Sequence, residues 1–260
     1  MNLVYVPILK AKKGEFDALA HLYPKASTQI IPWFDVPRLD DTTRKKSERD
    51  SKPPLESFLN KVAVDINKAW TGKSIFMDLP RWATNAQTEN GEHVIPYFRN
   101  RLELLGITVN PVIDYVSWDD PVYVNAMKGI RLDIGRNFCI RLNMDVDTVE
   151  DMADPDYFVD RLSDIIQQLD IDPSNTYLLI DFGDVSSQAH FIVEMVDKAK
   201  LAISLVSECG FSQIMLAGSS LPTSIDLAVK AQNSTGLVLR KEMMVWRTLI
   251  SENQSLNGVN

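Results

Sequence analysis

The sequence predicts an α/β protein built as a TIM-barrel-like (β/α) barrel, with the eighth strand left open. Three observations lead to this fold class. Short apolar runs bounded by turn residues are typical of strands buried on both faces. The runs begin every ~25 to ~45 residues, which leaves room for the crossover helix that parallel pairing requires. Most of them end in a polar residue, as strands do at the carboxyl-terminal face of a barrel.

The clearest run is residues 177–180, four apolar residues that end at Asp181. An apolar run that ends in an aspartate recurs at residues 31–35, 74–78 and 111–114. An open doubly wound sheet has the same periodicity and stays an alternative. The absence of Gly-x-Gly-x-x-Gly after the first strand argues against the dinucleotide-binding form of that sheet.

Seven strands follow from these runs, and an eighth is a candidate. The seven are residues 3–9, 29–34, 74–77, 108–113, 137–142, 177–180 and 213–217, and the candidate is residues 236–239.

Apolar residues at helical spacing predict the helices between the strands. Capping signals mark several of their ends. Asp119-Asp120-Pro121 begins one helix, and Gly106 and Gly210 end two others. The predicted helices are residues 15–22, 55–70, 94–105, 121–128, 155–169, 188–208, 225–231 and 243–250.

A chain of 260 residues suits one barrel-like domain, and we predict a single domain over residues 1–260. The most polar stretch, residues 36–54, carries both charges and paired prolines. We predict that it is a mobile loop over the mouth of the barrel, although an insertion without a role is an equal alternative. The polar residues 253–260 are predicted to be a frayed tail.

Composition excludes several classes of function. The net charge of −8 argues against general binding to a nucleic-acid backbone. No apolar segment reaches the ~20 residues that span a bilayer, and the first residues do not form a signal peptide. Cys139 and Cys209 lie in apolar runs and are expected to be buried, reduced thiols. We therefore predict a cytoplasmic protein without a membrane segment.

Polar residues at the ends of the predicted strands are the candidate site. In a barrel they would meet at one mouth, and they are Lys10, Asp35, Asp78, Asp114, Arg141, Asp181, Arg240 and Glu242. We expect the carboxylate of Asp181 to face solvent in that mouth. Trp33, Trp82 and Trp118 also lie near strand ends, where they either wall a pocket or, more commonly, pack in the core.

Three interpretations of these charged groups are open. In the first, Lys10, Lys12, Arg141 and Arg240 hold a phosphate or carboxylate and the acids orient them. In the second, Asp78, Asp114 and Asp181 hold a divalent metal ion that activates water. In the third, the groups form a salt-bridge network that neutralises itself. The mixed charge favours acids that satisfy cations, so we predict no cofactor and no tightly bound metal.

The sequence Gly218-Ser219-Ser220 follows the seventh predicted strand. Barrels often bind phosphate beside their last strands, so Gly218 and Ser219 are a candidate phosphate cradle, and a tight turn is the alternative. The three histidines, His21, His93 and His190, do not follow strands. We therefore assign no catalytic base and leave the catalytic residues open.

A set of short motifs carries a resemblance to a known family. Residues 5–10, YVPILK, are followed by Lys12, Gly14, Glu15, Ala18 and Leu19, and the later motifs are residues 76–79, 141–142, 179–181, 217–220 and 240–242. In this order the motifs resemble the Beta-protein family of bacteriophages, phage satellites and bacterial defence islands. The resemblance implies a role in phage immunity or phage–phage exclusion, often beside a toxic partner, and it implies no particular reaction.

One feature departs from the family pattern. Members are usually longer and continue with a strand that carries Gly-Asp-Tyr, a sequence absent from this chain. The resemblance therefore places residues 236–239 in a crossover and leaves the barrel without its last strand.

The function that these patterns favour is an immunity or defence component that binds a protein partner, of phage or toxin origin, or a small anionic ligand at the barrel mouth. A metal- or phosphate-dependent hydrolase of the phosphodiesterase type is the alternative, and a scaffold without a ligand is the third. The separation of the carboxylates discriminates between them. Oxygen ligands that converge at ~2.0–2.6 Å on one point would favour the enzyme, whereas acids paired with cations would favour binding or structure.

Overall fold

Strands and helices alternate along the chain in a computed structural model, which describes residues 5–39, 45, 53–130, 137–222, 225–229 and 234–252. The seven strands are β1 (Ile8–Lys10), β2 (Trp33–Asp35), β3 (Ser74–Asp78), β4 (Thr108–Asp114), β5 (Cys139–Asn143), β6 (Tyr177–Asp184) and β7 (Gln213–Ser219). The α-helices are α1 (Lys13–Ala20), α2 (Pro24–Ser27), α3 (Pro54–Ala69), α4 (Val94–Leu104), α5 (Pro121–Lys128), α6 (Val146–Met152), α7 (Pro155–Leu169), α8 (Ile192–Glu208), α9 (Ile225–Ala228) and α10 (Lys241–Glu252).

The chain forms two compact units, Met1–Cys139 and Ile140–Val259. In the first unit β1, β2, β3 and β4 pair in parallel in chain order. In the second unit β6 and β7 pair in parallel. The predicted fold class, an α/β protein with a barrel-like arrangement of parallel strands, is confirmed. Residues 236–239 belong to no strand, so the part of the chain that is described has seven strands.

The core of the first unit forms because its strands carry apolar residues on both faces. Trp33 and Phe34 in β2 and Phe76 in β3 are completely buried, and the rings of Trp33 and Phe76 lie 5.4 Å apart. Helix α3 covers the strands with residues spaced three or four apart, as an amphipathic helix does. The buried residues of α3 are Leu59, Val62, Ala63 and Ile66.

The core of the second unit joins the last helix to the strands. Val245 and Leu249, four residues apart in α10, pack in one cluster with Val185 and with Met195 and Ala199 of α8. Because the residues lie one turn apart, α10 presents a single apolar stripe to its neighbours. A salt bridge of 2.5 Å between Lys200 and Glu252 also joins α8 to the end of α10.

Side-chain capping explains several helix starts. Asp120 accepts a hydrogen bond of 2.8 Å from the backbone N–H of Val122 at the start of α5, as the sequence predicts. Asp145 accepts one of 3.1 Å from Thr148 and begins α6, a helix that the periodicity did not reveal because it is only seven residues long. The acidic residues around Asp145 therefore start a helix.

Several element boundaries differ from the predictions. β1 begins at Ile8, and among the described residues before it Tyr5 forms an isolated bridge with Ile30. Helix α2 was not predicted, and Pro24 occupies its first position, where proline suits a helix start. Strand β6 continues to Asp184, beyond the predicted end at Ile180, because a bulge between Asp181 and Asp184 lets the pairing with β7 resume.

Two predicted segments lie largely or wholly outside the described residues. They are the mobile loop at residues 36–54, of which 36–39, 45, 53 and 54 are described, and the frayed tail at residues 253–260. Both stay predictions. Among the described helices, none has both the length and the apolar character needed to cross a membrane.

Docking of α10 can be tested with Leu249→Ala. Leu249 is buried in the core of the second unit, so its truncation should lower the free energy of unfolding by about 2–5 kcal/mol. Met244→Ala is the matched control, because Met244 lies on the exposed side of the same helix. Urea denaturation followed by circular dichroism measures both changes. Equal stability of the two variants would show that α10 does not pack as described.

Candidate functional site

Parallel pairing in the first unit places three of the predicted site residues side by side. Lys10 at the end of β1 is in register with Asp35 at the end of β2, and Asp35 is in register with Asp78 at the end of β3. Residues in register on neighbouring parallel strands point to the same face of the sheet. A cation and two carboxylates therefore occupy one row, as predicted from the strand ends.

Glu15 in α1 joins this row, and we did not predict it as a site residue. Partial burial raises the pKa of its carboxyl group, Lys10 and Lys12 oppose that rise, and Asp35 adds to it. The Oε2 atom of Glu15 is buried and has no hydrogen-bond partner among the described residues. The signal that could have found Glu15 is its position in the same short motif as Lys10 and Lys12.

The third and fourth strands of the first unit end in carboxylates that border a pocket. Asp78 is only 3% exposed, and its Oδ2 atom accepts a hydrogen bond of 3.2 Å from Nε1 of Trp33. Asp114 accepts two hydrogen bonds from Ser117, of 3.2 Å from the backbone N–H and 2.5 Å from the hydroxyl. The pocket holds about 440 Å³ of empty space, part of it open to solvent.

A buried tyrosine lies beside both carboxylates. The hydroxyl of Tyr123 accepts a hydrogen bond of 2.8 Å from the backbone N–H of Asp114. Burial raises the pKa of Tyr123 well above its ordinary value, and the charges of Asp114 and Asp78 raise it further. Tyr123 therefore stays a neutral phenol at every physiological pH, and it borders the pocket as a hydrogen-bonding group.

His93 also borders the pocket, but both of its ring nitrogens are occupied. Nδ1 accepts a hydrogen bond of 3.2 Å from the backbone N–H of Ile95 and thereby caps α4. Nε2 lies 2.8 Å from the carbonyl oxygen of Thr84, to which it donates. Because acceptance at Nδ1 and donation at Nε2 fit the neutral tautomer, His93 has a structural role, as expected for a histidine that does not follow a strand.

The tryptophans near strand ends have different roles. Trp33 is fully buried and donates to Asp78, and Trp118 is buried as well. Trp82 borders the pocket, and its Nε1 donates a hydrogen bond of 3.0 Å to the carbonyl oxygen of Val36. Both anticipated fates, core packing and a pocket wall, therefore occur.

In the second unit a buried ion pair joins β5 to β6. The Oδ2 atom of Asp181 accepts hydrogen bonds from Nε of Arg141 at 3.0 Å and from Nη2 at 2.5 Å. Oδ1 of Asp181 accepts another of 2.8 Å from the backbone N–H of Gly183. Gly183 has a φ of +61°, a conformation that glycine adopts without strain and that turns its N–H toward the carboxylate.

The environment of Asp181 corrects one expectation. We expected its carboxylate to face solvent, but the residue is only 4% exposed and Arg141 is 8% exposed. Arg141 and Gly183 supply the hydrogen bonds that water would otherwise give to the carboxylate, and β6 continues past Asp181 through a bulge to Asp184. Of the three interpretations, this pair fits the salt-bridge network.

A second polar cluster in the same unit joins the end of β7 to the start of α10. Oε1 of Glu242 accepts a hydrogen bond of 2.8 Å from Nε of Arg240, and Oε2 accepts one from the hydroxyl of Ser220. The Ser220 hydroxyl in turn accepts a hydrogen bond of 2.8 Å from the backbone N–H of Lys241. Arg240 and Glu242, both predicted site residues, are therefore brought together, and Ser220 is the residue that the prediction missed.

The glycine of the Gly218-Ser219-Ser220 sequence has a packing role. A Cβ atom at Gly218 would lie 3.3 Å from the Cβ of Glu242 and 3.6 Å from that of Phe182. A side chain at this position would crowd Glu242, so glycine favours the close approach of α10. The Ser219 hydroxyl donates a hydrogen bond of 3.2 Å to the carbonyl oxygen of Leu221. These contacts fit the tight-turn alternative, and phosphate binding by Gly218 and Ser219 stays a prediction.

The predicted site residues are thus divided between the units. Lys10, Lys12, Asp35, Asp78 and Asp114 belong to the first, and Arg141, Asp181, Gly218, Ser219, Arg240 and Glu242 to the second. Their meeting in one barrel mouth stays a prediction. Within the part of the chain that is described, no three side chains of the His, Cys, Asp and Glu types gather closely enough to hold a metal ion.

Comparison with known proteins gives one family and one structural neighbour. A family model described as Beta protein matches residues 5–258. Among solved structures, the chain is similar to a GH18 chitinase from Pseudoalteromonas aurantia, with a TM-score of 0.43, 9% sequence identity and 77% of each chain covered. A search of curated proteins finds no match to this chain.

Breaking the buried ion pair should destabilise the protein. Asp181→Asn leaves the guanidinium of Arg141 without its buried counter-charge, so the free energy of unfolding should fall by about 3–5 kcal/mol. Asp197→Asn is the control, since Asp197 is exposed on α8 and should change stability by less than ~0.5 kcal/mol. Chemical denaturation measures both. An unchanged stability of Asp181→Asn would show that the carboxylate is solvated after all.

The Glu242 cluster should respond to acid. Partial burial disfavours the charge of Glu242, but hydrogen bonds from Ser220 and Arg240 outweigh it, so its pKa lies below the ordinary 4.5. A lowered pKa contributes stability that is complete above the unfolded value and lost as pH falls through the folded one. The melting temperature of the wild type should therefore fall more steeply below about pH 5 than that of Glu242→Gln.

Glu194→Gln is the control for this experiment, because Glu194 is exposed at the start of α8. It should follow the wild-type curve. If Glu242→Gln and the wild type lose stability in parallel on acidification, the charge of Glu242 does not stabilise the cluster.

Proposed function

The chain belongs to the Beta-protein family, and from this membership we propose that it is an immunity or defence component of the kind that phages and mobile elements encode. It acts in the cytoplasm by binding a protein partner or a small anionic ligand at the carboxyl ends of its strands. The family resemblance implies the defence role, and the chemistry of the strand ends supports binding as the way in which the role is performed.

The buried ion pair of Arg141 and Asp181 is the observation that supports a binding function rather than a catalytic one. A carboxylate that acts as a general base or as a metal ligand needs an oxygen available to water or to the ion. Both oxygens of Asp181 are hydrogen-bonded, Oδ2 to Arg141 and Oδ1 to Gly183. The carboxylate of Glu242 is likewise held, by Ser220 and Arg240. Acids paired in this way position cations, which suits recognition of an anion or of a partner surface.

Two exposed lysines are available for such recognition in the first unit. Lys10 ends β1, and Lys12 directly precedes α1. Lys10, Lys12 and Asp35 all shift the pKa of Glu15, so these charged groups lie near one another. Lysine ammonium groups on flexible stems bind phosphate and carboxylate groups as point charges. The proposal therefore assigns the contact with an anionic group to Lys10 and Lys12.

A hydrolase is the second candidate, and the pocket in the first unit is the observation that favours it. Asp78 and Asp114 border this pocket beside the neutral phenol of Tyr123. Calorimetric titration with Mg²⁺, Mn²⁺ and Ca²⁺ separates the candidates. We expect no binding heat and no effect of EDTA on the melting temperature. A micromolar isotherm that Asp78→Asn abolishes would instead place the hydrolase first.

The defence role predicts a loss of protection when the two lysines are replaced. A host that expresses the wild-type chain should plate challenging phages less efficiently than a host with an empty vector. Lys10→Ala combined with Lys12→Ala should reduce this protection about tenfold or more, because the anionic contact disappears. Plaque counts on a panel of phages measure the effect, and immunoblots confirm equal expression.

Lys13→Ala is the matched control, since Lys13 is an equally exposed neighbour in α1 and is not assigned to the site. It should protect as well as the wild type. Full protection by the double variant would remove Lys10 and Lys12 from the proposal, and the absence of protection by the wild type against every phage tested would overturn the defence role.

A further inference from the structure

Two loops of the second unit carry large apolar side chains that are exposed to solvent. The first connects β6 to α8 and brings Phe191, 61% exposed, and Val193, 71% exposed at the start of the helix. The second is the connection from β7 to α10, which includes the short helix α9, and it brings Leu221 at 64%, Leu237 at 104% and Leu239 at 61%. We call these five residues together with Val238 the apolar rim. Both loops leave the carboxyl ends of strands, where (β/α) proteins place their binding residues.

The polar cluster described above holds these loops in place. The β7–α10 loop begins at Ser220, which is only 5% exposed, and ends at Lys241, whose backbone N–H donates to the Ser220 hydroxyl at 2.8 Å. The ammonium group of Lys241 donates a hydrogen bond of 2.6 Å to the carbonyl oxygen of Ser187 in the β6–α8 loop. The ends of one loop are thereby fastened to each other and to the neighbouring loop.

The apolar character of the longer loop is concentrated in its last residues. No charged residue occurs between Lys230 and Arg240. Residues 234–240 belong to no helix or strand, and all seven are exposed. The exposure of the consecutive residues Leu237, Val238 and Leu239 is unfavourable, because the burial of one large apolar side chain is stabilising by about 1.5–3 kcal/mol. Contiguous exposed apolar residues of this kind mark interaction sites.

The charges on and beside the apolar rim indicate which kind of binding partner fits it. The chain has a net charge of −8 and the apolar rim lacks a basic helical face, so an anionic bilayer would repel the protein. Arg240 directly follows the rim, and its side chain is 61% exposed although Nε is bonded to Glu242. An apolar segment that ends in an exposed arginine complements a protein groove with an acidic residue at one end.

We propose that the apolar rim is the surface through which this chain binds its protein partner, and that the partner offers an apolar groove bordered by a carboxylate that receives Arg240. The inference rests on the proposed function and specifies it, because it assigns the partner contact to the second unit and leaves Lys10 and Lys12 to the anionic group. Because residues 237–239 belong to no helix or strand of this chain, they can pair along an open sheet edge beside the partner's groove, where backbone pairing adds to side-chain burial.

The test combines crosslinking with affinity measurement in the full-length chain. A photoreactive benzoylphenylalanine replaces Leu237 in bacteria that express the chain, before and during phage challenge, and the adducts are identified by mass spectrometry. The same replacement at Leu104, which is 76% exposed in the first unit, is the matched control. The identified protein is then purified and titrated against wild type, Leu237→Ser combined with Leu239→Ser, Leu104→Ser, and Arg240→Ala.

The proposal expects one heterologous adduct at position 237 and none at position 104. Binding of the purified partner should weaken about 10- to 100-fold in the Leu237→Ser and Leu239→Ser double variant and less in Arg240→Ala, and it should be unchanged in Leu104→Ser. Because the replaced leucines are exposed, the melting temperature should not fall, which separates lost binding from lost folding.

Three other outcomes would overturn the proposal. An adduct with a second copy of the chain, supported by a dimer in light scattering, would make the rim a self-association surface. Flotation of the chain with phosphatidylglycerol vesicles would make it a membrane contact. Equal affinity of the double variant for the crosslinked protein, or no adduct at all, would leave the rim without this role. If both the wild type and the double variant protect the host against phage, the proposed defence role stands. If the wild type gives no protection, the defence role itself is overturned.

Discussion

Parallel strand pairing is the constraint on which the rest of this structure depends. Strands that run in the same direction need a crossover between them, and the crossover returns the chain so that the next strand ends at the same edge. In the first unit this places Lys10, Asp35 and Asp78 in one row of the register. Charged groups that are distant in sequence become neighbours only because the backbone pairs in this way.

The protein then has to compensate the charges that this constraint brings together. A buried carboxylate is unfavourable unless hydrogen bonds or an opposite charge replace the water that it loses. Asp181 receives three hydrogen bonds, two from Arg141 and one from Gly183. In the first unit Trp33 donates a hydrogen bond to Asp78, and Ser117 donates one to Asp114. An arginine is among the donors in the second unit, and an indole and a hydroxyl group are among the donors in the first.

The way in which these carboxylates are held bears on function. Held carboxylates give a rigid surface with fixed charges, which is what recognition requires and what a water-activating site would have to loosen. The polar cluster of Ser220, Arg240 and Glu242 extends the same principle from the strands to the loops, since it fixes both ends of the loop that carries the apolar rim. Held carboxylates, fastened loops and exposed apolar side chains together support the proposal that this protein acts by binding.

The sequence by itself determined the fold class, the seven strands in their order, the helix caps and the family, because these follow from local patterns: apolar runs, helical spacing, and capping residues such as Asp120. It also singled out Arg240 and Glu242 as candidate site residues. Tertiary structure decided what those residues contact. The ion pair of Asp181 with Arg141, the close approach of α10 to Gly218 and the charges around Glu15 all depend on it. Such contacts join residues that are far apart in the chain or on different elements, and no local pattern records them.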